Sequence, residues 1–157
     1  MTAVSAGVVD VYVLRRVRDD WEVLVLQRAP GTRCTNSWET VHGRVEAGEL
    51  PEEAARREVR EETGLEVARL YSITVQPFYL HGIGTIMLGV VFAAVADPSG
   101  SVSLGPEHRA SEWLSVPDAT ARYNWPRSRT VLSEITFLLR TGDAGVVEDV
   151  LRVDSDT

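Results

Sequence analysis

Runs of β-branched and aromatic residues, separated by Gly, Asp, Asn and Pro, dominate the hydrophobic pattern of the chain. Such runs are typical of strands bounded by turns. Six of them predict strands: residues 7–14, 21–26, 38–41, 67–79, 85–95 and 110–114. The turn signal Asp19-Asp20 lies between the first two, so we expect these to form a hairpin. Residues 28–37 hold Pro, Gly, Asn and Thr, and they predict a loop.

Three other segments predict helices: residues 51–63, 116–122 and 129–139. The first has the clearest signals, because Pro51 suits the first helical position and Gly64 is a typical helix stop. Its early residues Glu52 and Glu53 favour the positive end of the helix dipole. Strands mixed with helices predict an α/β fold, with a mixed central sheet flanked by helices on both faces.

The length and composition predict one globular domain with a core of its own. The chain has 157 residues, of which 44% are hydrophobic and 25% charged, a mix that excludes a mainly disordered chain. Residues after Thr141 are weakly patterned. We therefore expect a single domain over residues 1–141 and a C-terminal extension over residues 142–157 that is partly frayed.

The charge balance excludes several classes of function. The 16 basic residues are all Arg, and 23 acidic residues give a net charge of −7, which is a poor basis for binding nucleic acid. Without Lys there is no Lys-dependent phosphate loop and no Schiff base. Cys34 is the only cysteine, so we expect a reducing compartment, no internal disulfide and no Cys-based metal cluster.

No segment predicts export or membrane insertion. The longest nearly apolar run, residues 86–96, is far below the roughly 18 residues needed to span a bilayer. The first residues also lack the layout of a signal peptide. We expect a cytoplasmic protein with no membrane partner.

The helix predicted over residues 51–63 gathers carboxylates on one flank. At 100° per residue, Glu58 and Glu62 share that flank with Ala54 and Ala55, and Glu61 lies at its edge. The arginines lie on the other side and point away: Arg56, Arg57 and Arg60. Carboxylates on a semi-buried flank need a cationic partner, and a hard divalent cation such as Mg²⁺ or Mn²⁺ fits them. The alternative is a solvated face with i,i+4 Arg–Glu pairs, as in most Glu-rich helices.

A spaced motif covers the same helix and the loop before it. Gly43 is followed after five residues by Glu49, and after seven more by the sequence REVREETGL, which ends at Leu65. This segment resembles a complete Nudix box at every fixed position. The resemblance implies an α/β/α sandwich that hydrolyses a diphosphate linkage of a nucleoside diphosphate joined to another group, with Mg²⁺ or Mn²⁺. It also implies roles for the acids: Glu58 and Glu62 as principal metal ligands, Glu61 as a further ligand or base, and Glu49 with Arg57 as the pair tying loop to helix.

The resemblance extends beyond this box to one branch of the family. LVLQR at 24–28, SWETVHG at 37–43, EHRASEWL at 107–114, Trp125 and Arg127 resemble the dATP or dihydroneopterin triphosphate pyrophosphohydrolases. That branch implies that Glu107 completes the metal site from outside the box. Two departures stand out. Residues 79–89 are short and uncharged where the pterin enzymes carry a longer basic insertion, and His42 replaces a small residue and is expected to project into the site.

These features predict a metal-dependent pyrophosphohydrolase. Its substrate is expected to be a nucleoside triphosphate or related compound, and its products a monophosphate and pyrophosphate. The alternatives are another diphosphate substrate, such as a dinucleoside polyphosphate or a nucleotide sugar, and a Nudix-fold sensor that binds nucleotide without cleaving it. The intact set of glutamates argues against a sensor. Four residues are candidates for the general base: Glu61, Glu62, Glu107 and His108.

Residues outside the box are expected to bind the substrate. Arg28 and Arg127 either hold phosphate oxygens or form surface ion pairs. Asn124 and Trp125 are expected to select a planar base by hydrogen bonding and stacking, with helix packing as the alternative for Trp125. Trp38 lies in a predicted strand and is expected in the core, and it is kept as a candidate substrate contact. A homodimer is left open.

Overall fold

The computed structural model describes residues 1–154, in which eight strands form one mixed sheet. The first half of the chain contains β1 (Ala3–Val17), β2 (Asp20–Arg28), β3 (Trp38–Glu39), β4 (Val41–Arg44), α1 (Pro51–Thr63), β5 (Val67–Leu80) and β6 (Thr85–Ala96). The second half contains β7 (His108–Ser115), α2 (Val116–Arg122), α3 (Pro126–Leu138), a 3₁₀ turn (Gly145–Val147), α4 (Glu148–Leu151) and β8 (Arg152–Val153).

Strand β1 organises the sheet. It pairs antiparallel with β2 in the expected hairpin, antiparallel with β4, and parallel with β6. Strand β5 extends the sheet from β6, and β3 and β7 both pair with β2. The short β4 pairs only with the part of β1 around Asp10, so it lies beside the middle of the sheet.

Alternate residues of β1 face two separate cores. One core contains Val9, Val11 and Val13 together with apolar residues of α1: Ala54, Ala55 and Val59. The other contains Tyr12 and Leu14 together with apolar residues of α3: Val131, Leu132 and Ile135. Because side chains alternate along a strand, one sheet face packs on α1 and the other on α3. This confirms the prediction of a mixed sheet with helices on both faces.

The bounds of α1 agree with the prediction, and those of α3 do not. Gly64 ends α1 in the left-handed conformation (φ 72°), and its N–H donates to the carbonyl of Arg60. This conformation is accessible to Gly without a Cβ clash. The start predicted for the last helix at residue 129 is wrong, because the helix begins at Pro126 with Trp125 at its N-cap. Pro is well suited to that first position.

The segment after Thr141 is more structured than its sequence pattern predicts. Strand β8 pairs with the edge of β5, and Ala144 is buried in the core beneath α3. The Tyr71 hydroxyl donates to Glu148 Oε1 at 2.5 Å, and Arg69 donates to the carbonyl of Gly142 at 3.0 Å. The segment after Thr141 is therefore attached to the rest of the fold at Gly142, Ala144, Glu148 and β8, and the division at residue 141 stays a prediction. The fraying predicted for the last residues concerns 155–157, which lie outside the described residues.

Within residues 1–154, no helix combines the length and the apolar character needed to cross a membrane.

Candidate active site

Glu58 and Glu62 lie where α1 faces strand β4. Their side chains are only 13% and 6% exposed. An ideal Cβ on Gly43 of β4 would lie 2.1 Å from Glu58 Cδ and 2.3 Å from its Oε1. The carboxylate of Glu58 therefore occupies space that any side chain at position 43 would fill. This close approach explains why position 43 is a glycine.

Arg57 holds the loop before α1 and also reaches the acids of the helix. Its Nε and Nη2 donate to the two carboxylate oxygens of Glu49 at 2.8 and 2.9 Å, as the resemblance implied. Its Nη1 donates to Glu58 Oε1 at 2.8 Å and to Glu61 Oε2 at 3.3 Å. The prediction that the arginines point away is thus wrong for Arg57, whose long side chain folds across the helix. The hydrogen bonds from Arg57 lower the pKa of Glu49 to about 2.

Glu62 is a buried carboxylate in a negative environment. Burial first, and then the charges of Glu58, Glu107 and Glu39, together raise its pKa to about 10, against the lowering effect of the hydrogen bond from the His42 backbone. That N–H donates to Oε2 at 3.2 Å, while Oε1 is buried without a hydrogen-bond partner in the described part of the chain. Burial also raises the pKa of Glu58, against the opposing effect of Arg57. Such a site favours either a proton or a cation on Glu62.

The loop after β6 brings Glu107 to these acids. Ser103 N–H donates to the carbonyl of Thr63 at the end of α1. A Cβ on Gly105 would lie 2.8 Å from the carbonyl oxygen of Glu61, so the loop passes directly over the helix. Burial is the main cause of the raised pKa of Glu58 and Glu62, and the charge of Glu107, whose side chain is exposed, adds to it.

The carboxylates of Glu58, Glu62 and Glu107 are of the right chemical type to bind a hard cation, although they do not converge on one point. Within residues 1–154, no three His, Cys, Asp or Glu side chains converge in the arrangement of an assembled metal site, and Glu58 is turned toward Arg57. The fit rests on chemistry: Glu58, Glu62 and Glu107 offer carboxylate oxygens, and Oε1 of Glu62 is buried and unpartnered. Oxygen ligands of this kind suit Mg²⁺ or Mn²⁺.

His108 lies behind the carboxylates, where solvent does not reach it. Its side chain is fully buried, with Nε2 3.5 Å from Glu39 Oε2 and Nδ1 3.7 Å from Glu62 Oε1. Neither ring nitrogen has a hydrogen-bond partner in the part of the chain the structure describes. A general base must reach the attacking water, so this position disfavours His108 among the candidate bases.

A second group of side chains lies on the α3 face of the sheet, and we call it the Asp10 cluster: Asp10, His42, Phe78, Trp125 and Arg127. His42 Nδ1 lies 2.6 Å from Asp10 Oδ1, and Arg127 Nε lies 3.7 Å from Asp10 Oδ2. The guanidinium carbon of Arg127 lies 5.0 Å from the ring centre of Phe78 and 4.9 Å from that of Trp125. Burial alone would lower the pKa of His42, but its hydrogen bond to Asp10 and the nearby carboxylates raise it.

The structure assigns other contacts to three of the predicted substrate residues. Arg28 pairs with Glu39 at 3.3 Å and donates to the carbonyl of Arg33, so its guanidinium is already engaged. The Oδ1 of Asn124 accepts from the backbone N–H of Trp38 at 2.7 Å, which uses its amide to tie the α2–α3 connection to β3. Trp38 itself is half-buried against the core, as expected, with the Arg122 guanidinium over its ring.

Sequence reasoning missed Asp10 and Phe78. Asp10 interrupts a run of valines in a predicted strand, and a lone acid in such a run is a signal that could have identified it. Phe78 alternates with exposed neighbours near the end of β5, where the pattern alone carries no such signal.

Comparisons with known proteins agree with the fold and the box. Residues 5–135 match the NUDIX domain, and the chain belongs to the Nudix family. It is 33% identical over 135 residues to an octanoyltransferase of Myxococcus xanthus, covering 82% of this chain but only 36% of the length of that relative. It is 31% identical over 116 residues to the asymmetrical bis(5′-nucleosyl)-tetraphosphatase of Mus musculus, covering 72% of this chain and 77% of the mouse protein.

The fold itself is also found in solved structures. The Escherichia coli dihydroneopterin triphosphate pyrophosphohydrolase superimposes with a TM-score of 0.69 at 24% identity, covering 83% of this chain and 94% of that one. At this level of identity, the likeness concerns the fold.

Proposed function

We propose that the chain hydrolyses a phosphoanhydride bond in a nucleoside triphosphate or related compound, giving a monophosphate and pyrophosphate, with Mg²⁺ or Mn²⁺ as cofactor. The observation that carries this proposal is the buried Oε1 of Glu62, which has no partner among residues 1–154 and lies near the charges of Glu58 and Glu107. A buried anion of this kind is costly unless a cation joins it.

Each acid has a role in this proposal. Glu58, Glu62 and Glu107 would hold the metal, which when bound neutralises phosphate charge and makes a bound water more acidic. The side chain of Glu61 is 58% exposed, and Glu107 is exposed as well, so both can take a proton from the attacking water. Arg57 keeps Glu58 and the loop at Glu49 in place.

The Asp10 cluster, on the α3 face of the sheet, supplies the contacts to the nucleoside part of the substrate in this proposal. His42 connects the two regions, since its backbone N–H binds Glu62 and its side chain binds Asp10. Trp125 offers a flat ring for a planar base, and Arg127 offers donors to phosphate or to the base. Arg28 and Asn124 have a smaller part in this proposal, because Arg28 is paired with Glu39 and the Oδ1 of Asn124 accepts from the backbone of Trp38.

A dinucleoside polyphosphate is the second candidate substrate. The observation that favours it is the 31% identity to the mouse bis(5′-nucleosyl)-tetraphosphatase over 77% of its length. Both candidates require the same carboxylates, because each presents phosphoanhydride oxygens to them. They differ in the products, which makes product analysis decisive.

The test is a hydrolysis assay over nucleoside triphosphates, dinucleoside tetraphosphates and nucleotide sugars, with Mg²⁺, with Mn²⁺ and with chelator. We expect metal-dependent release of pyrophosphate from a triphosphate, and near-complete loss in Glu62→Gln with the fold retained. Product analysis by ³¹P NMR separates the candidates, since a dinucleoside tetraphosphate yields two nucleotides and no pyrophosphate. Nucleotide binding without any cleavage would instead show a sensor.

A further inference from the structure

Asp10 is a buried acid at the centre of the sheet. It is 3% exposed and lies between Val9 and Val11, which are fully buried. Placing a carboxylate there costs several kcal/mol unless charged or hydrogen-bonding partners compensate it. The structure gives it two such partners, His42 on one oxygen and Arg127 toward the other.

The strand register explains how His42 reaches this acid. Asp10 and His42 are directly opposed in the antiparallel pair of β1 and β4. Their side chains lie on the α3 face, whereas the next residue, Gly43, faces Glu58 of α1. His42 thus donates its backbone N–H to Glu62 and directs its ring to Asp10, so one residue joins the carboxylates of α1 to the opposite face.

Arg127 is held in a restricted orientation. The rings of Phe78 and Trp125 lie about equally far from its guanidinium, and its Nε forms an ion pair with Asp10 Oδ2 at 3.7 Å. A planar guanidinium with aromatic neighbours and a carboxylate beside one edge presents its remaining N–H groups over a narrower range of directions. Its side chain is 28% exposed, so these groups are accessible to a ligand.

We propose that Asp10 is a positioning residue for nucleotide binding, which fixes the ring of His42 with one carboxylate oxygen and the guanidinium of Arg127 with the other. This inference rests on the proposed function, and it names the residue that orients the two side chains expected to contact the nucleoside. Asp10 itself does not touch the substrate. Its effect is on affinity, through the preorganisation of two side chains that do.

Two substitutions separate the two contacts. Asp10→Asn keeps the shape and an acceptor for the Nδ1–H of His42 but removes the charge facing Arg127. Asp10→Ala removes both. Asp19→Asn, in the exposed turn between β1 and β2, is the matched control for an Asp-to-Asn change. Circular dichroism and thermal melting establish that each variant is folded.

The first readout is NMR and needs no substrate. The chain has only three histidines, so the ring resonances can be assigned. We expect a downfield Nδ1–H signal of His42, protected from exchange with water, in the wild type, in Asp10→Asn and in Asp19→Asn. It should vanish in Asp10→Ala. Absence of this signal in the wild type would overturn the inferred contact between Asp10 and His42, whether or not the protein is an enzyme.

The second readout is calorimetric affinity for α,β-methylene-ATP with Mg²⁺, which binds without turnover. We expect binding about tenfold weaker in Asp10→Ala, a smaller loss in Asp10→Asn and no loss in Asp19→Asn, from the usual strength of charge-assisted contacts. Wild-type affinity in both Asp10 variants overturns the inference, as does an equal loss in Asp19→Asn. If Asp10→Ala does not fold, unchanged affinity in Asp10→Asn overturns it. Analogue binding by a wild type that releases no pyrophosphate would overturn the proposed function alone.

Discussion

Substituting Gly43 by Ala tests whether the carboxylate of Glu58 must lie against strand β4. The added methyl carbon would lie 2.1 Å from Glu58 Cδ, whereas ordinary contacts begin near 3.4 Å. The carboxyl group must therefore move back by about 1.3 Å. Gly43 does not have a positive φ, and the three atoms nearest to the added methyl all belong to Glu58, so the clash with this side chain is the main perturbation. Because a side chain end can move at low cost, we expect the fold to survive.

The functional cost of Gly43→Ala should be large. Displacing a reacting or ligating group by about 1 Å costs on the order of 100-fold in rate. We expect kcat/KM for the preferred nucleotide to fall by about that factor, together with weaker Mn²⁺ binding measured by calorimetry. The thermal midpoint should change little.

The control for Gly43→Ala is Gly82→Ala, because a methyl at Gly82 meets no atom within 4 Å and requires no left-handed backbone. We expect wild-type activity from it. Gly43→Ala with wild-type metal affinity and rate would refute the placement of Glu58 in the metal site. A variant that fails to fold would refute the claim that the carboxylate can move aside.

Three further predictions concern Glu62, Glu107 and Trp125. The pKa of Glu62 is raised to about 10 from an ordinary 4.5, mainly by burial, so the folded state binds a proton more tightly than the unfolded state. In the metal-free protein the free energy of unfolding should therefore fall as pH rises above about 4.5, by up to about 1.4 kcal/mol per pH unit. Thermal melting between pH 5 and 9 should show this slope, and Glu62→Gln should flatten it; identical slopes would contradict the assignment. Glu107→Gln should weaken Mn²⁺ binding in a calorimetric titration, and unchanged affinity would show that Glu107 is not a metal ligand. Trp125→Ala should raise KM about tenfold with a smaller effect on kcat, from the loss of about 1.4 kcal/mol of stacking, while normal steady-state kinetics would exclude a stacking role.

The parts of the fold that the sequence predicted well are those with local causes. The helix from Pro51 to Thr63 has its start and stop within its own residues, and the structure agrees with both bounds. The β1–β2 hairpin likewise follows from a turn signal between two apolar runs. The spacing of the motif predicts that Glu58, Glu62 and Arg57 share one helix, and all three lie on α1.

The parts that the sequence did not predict depend on distant partners. Strand β8 forms because the edge of β5 is available to it, and nothing in Arg152–Val153 carries that information. Arg57 donates a hydrogen bond to Glu58 because its long side chain folds back across the helix. A helical wheel shows only the directions in which side chains leave the helix, so it does not predict this contact. Asn124 turns to the backbone of Trp38, 86 residues earlier in the chain.

The four residues of β4 also set a limit on how this chain can change in length. Adjacent side-chain positions of the strand serve opposite faces, with His42 on Asp10 and Gly43 against Glu58. A shift of one residue in the pairing with β1 would exchange them, pressing an imidazole onto the carboxylate and leaving Asp10 without its partner. A single-residue deletion within Val41–Arg44 should therefore abolish both halves of the site at once.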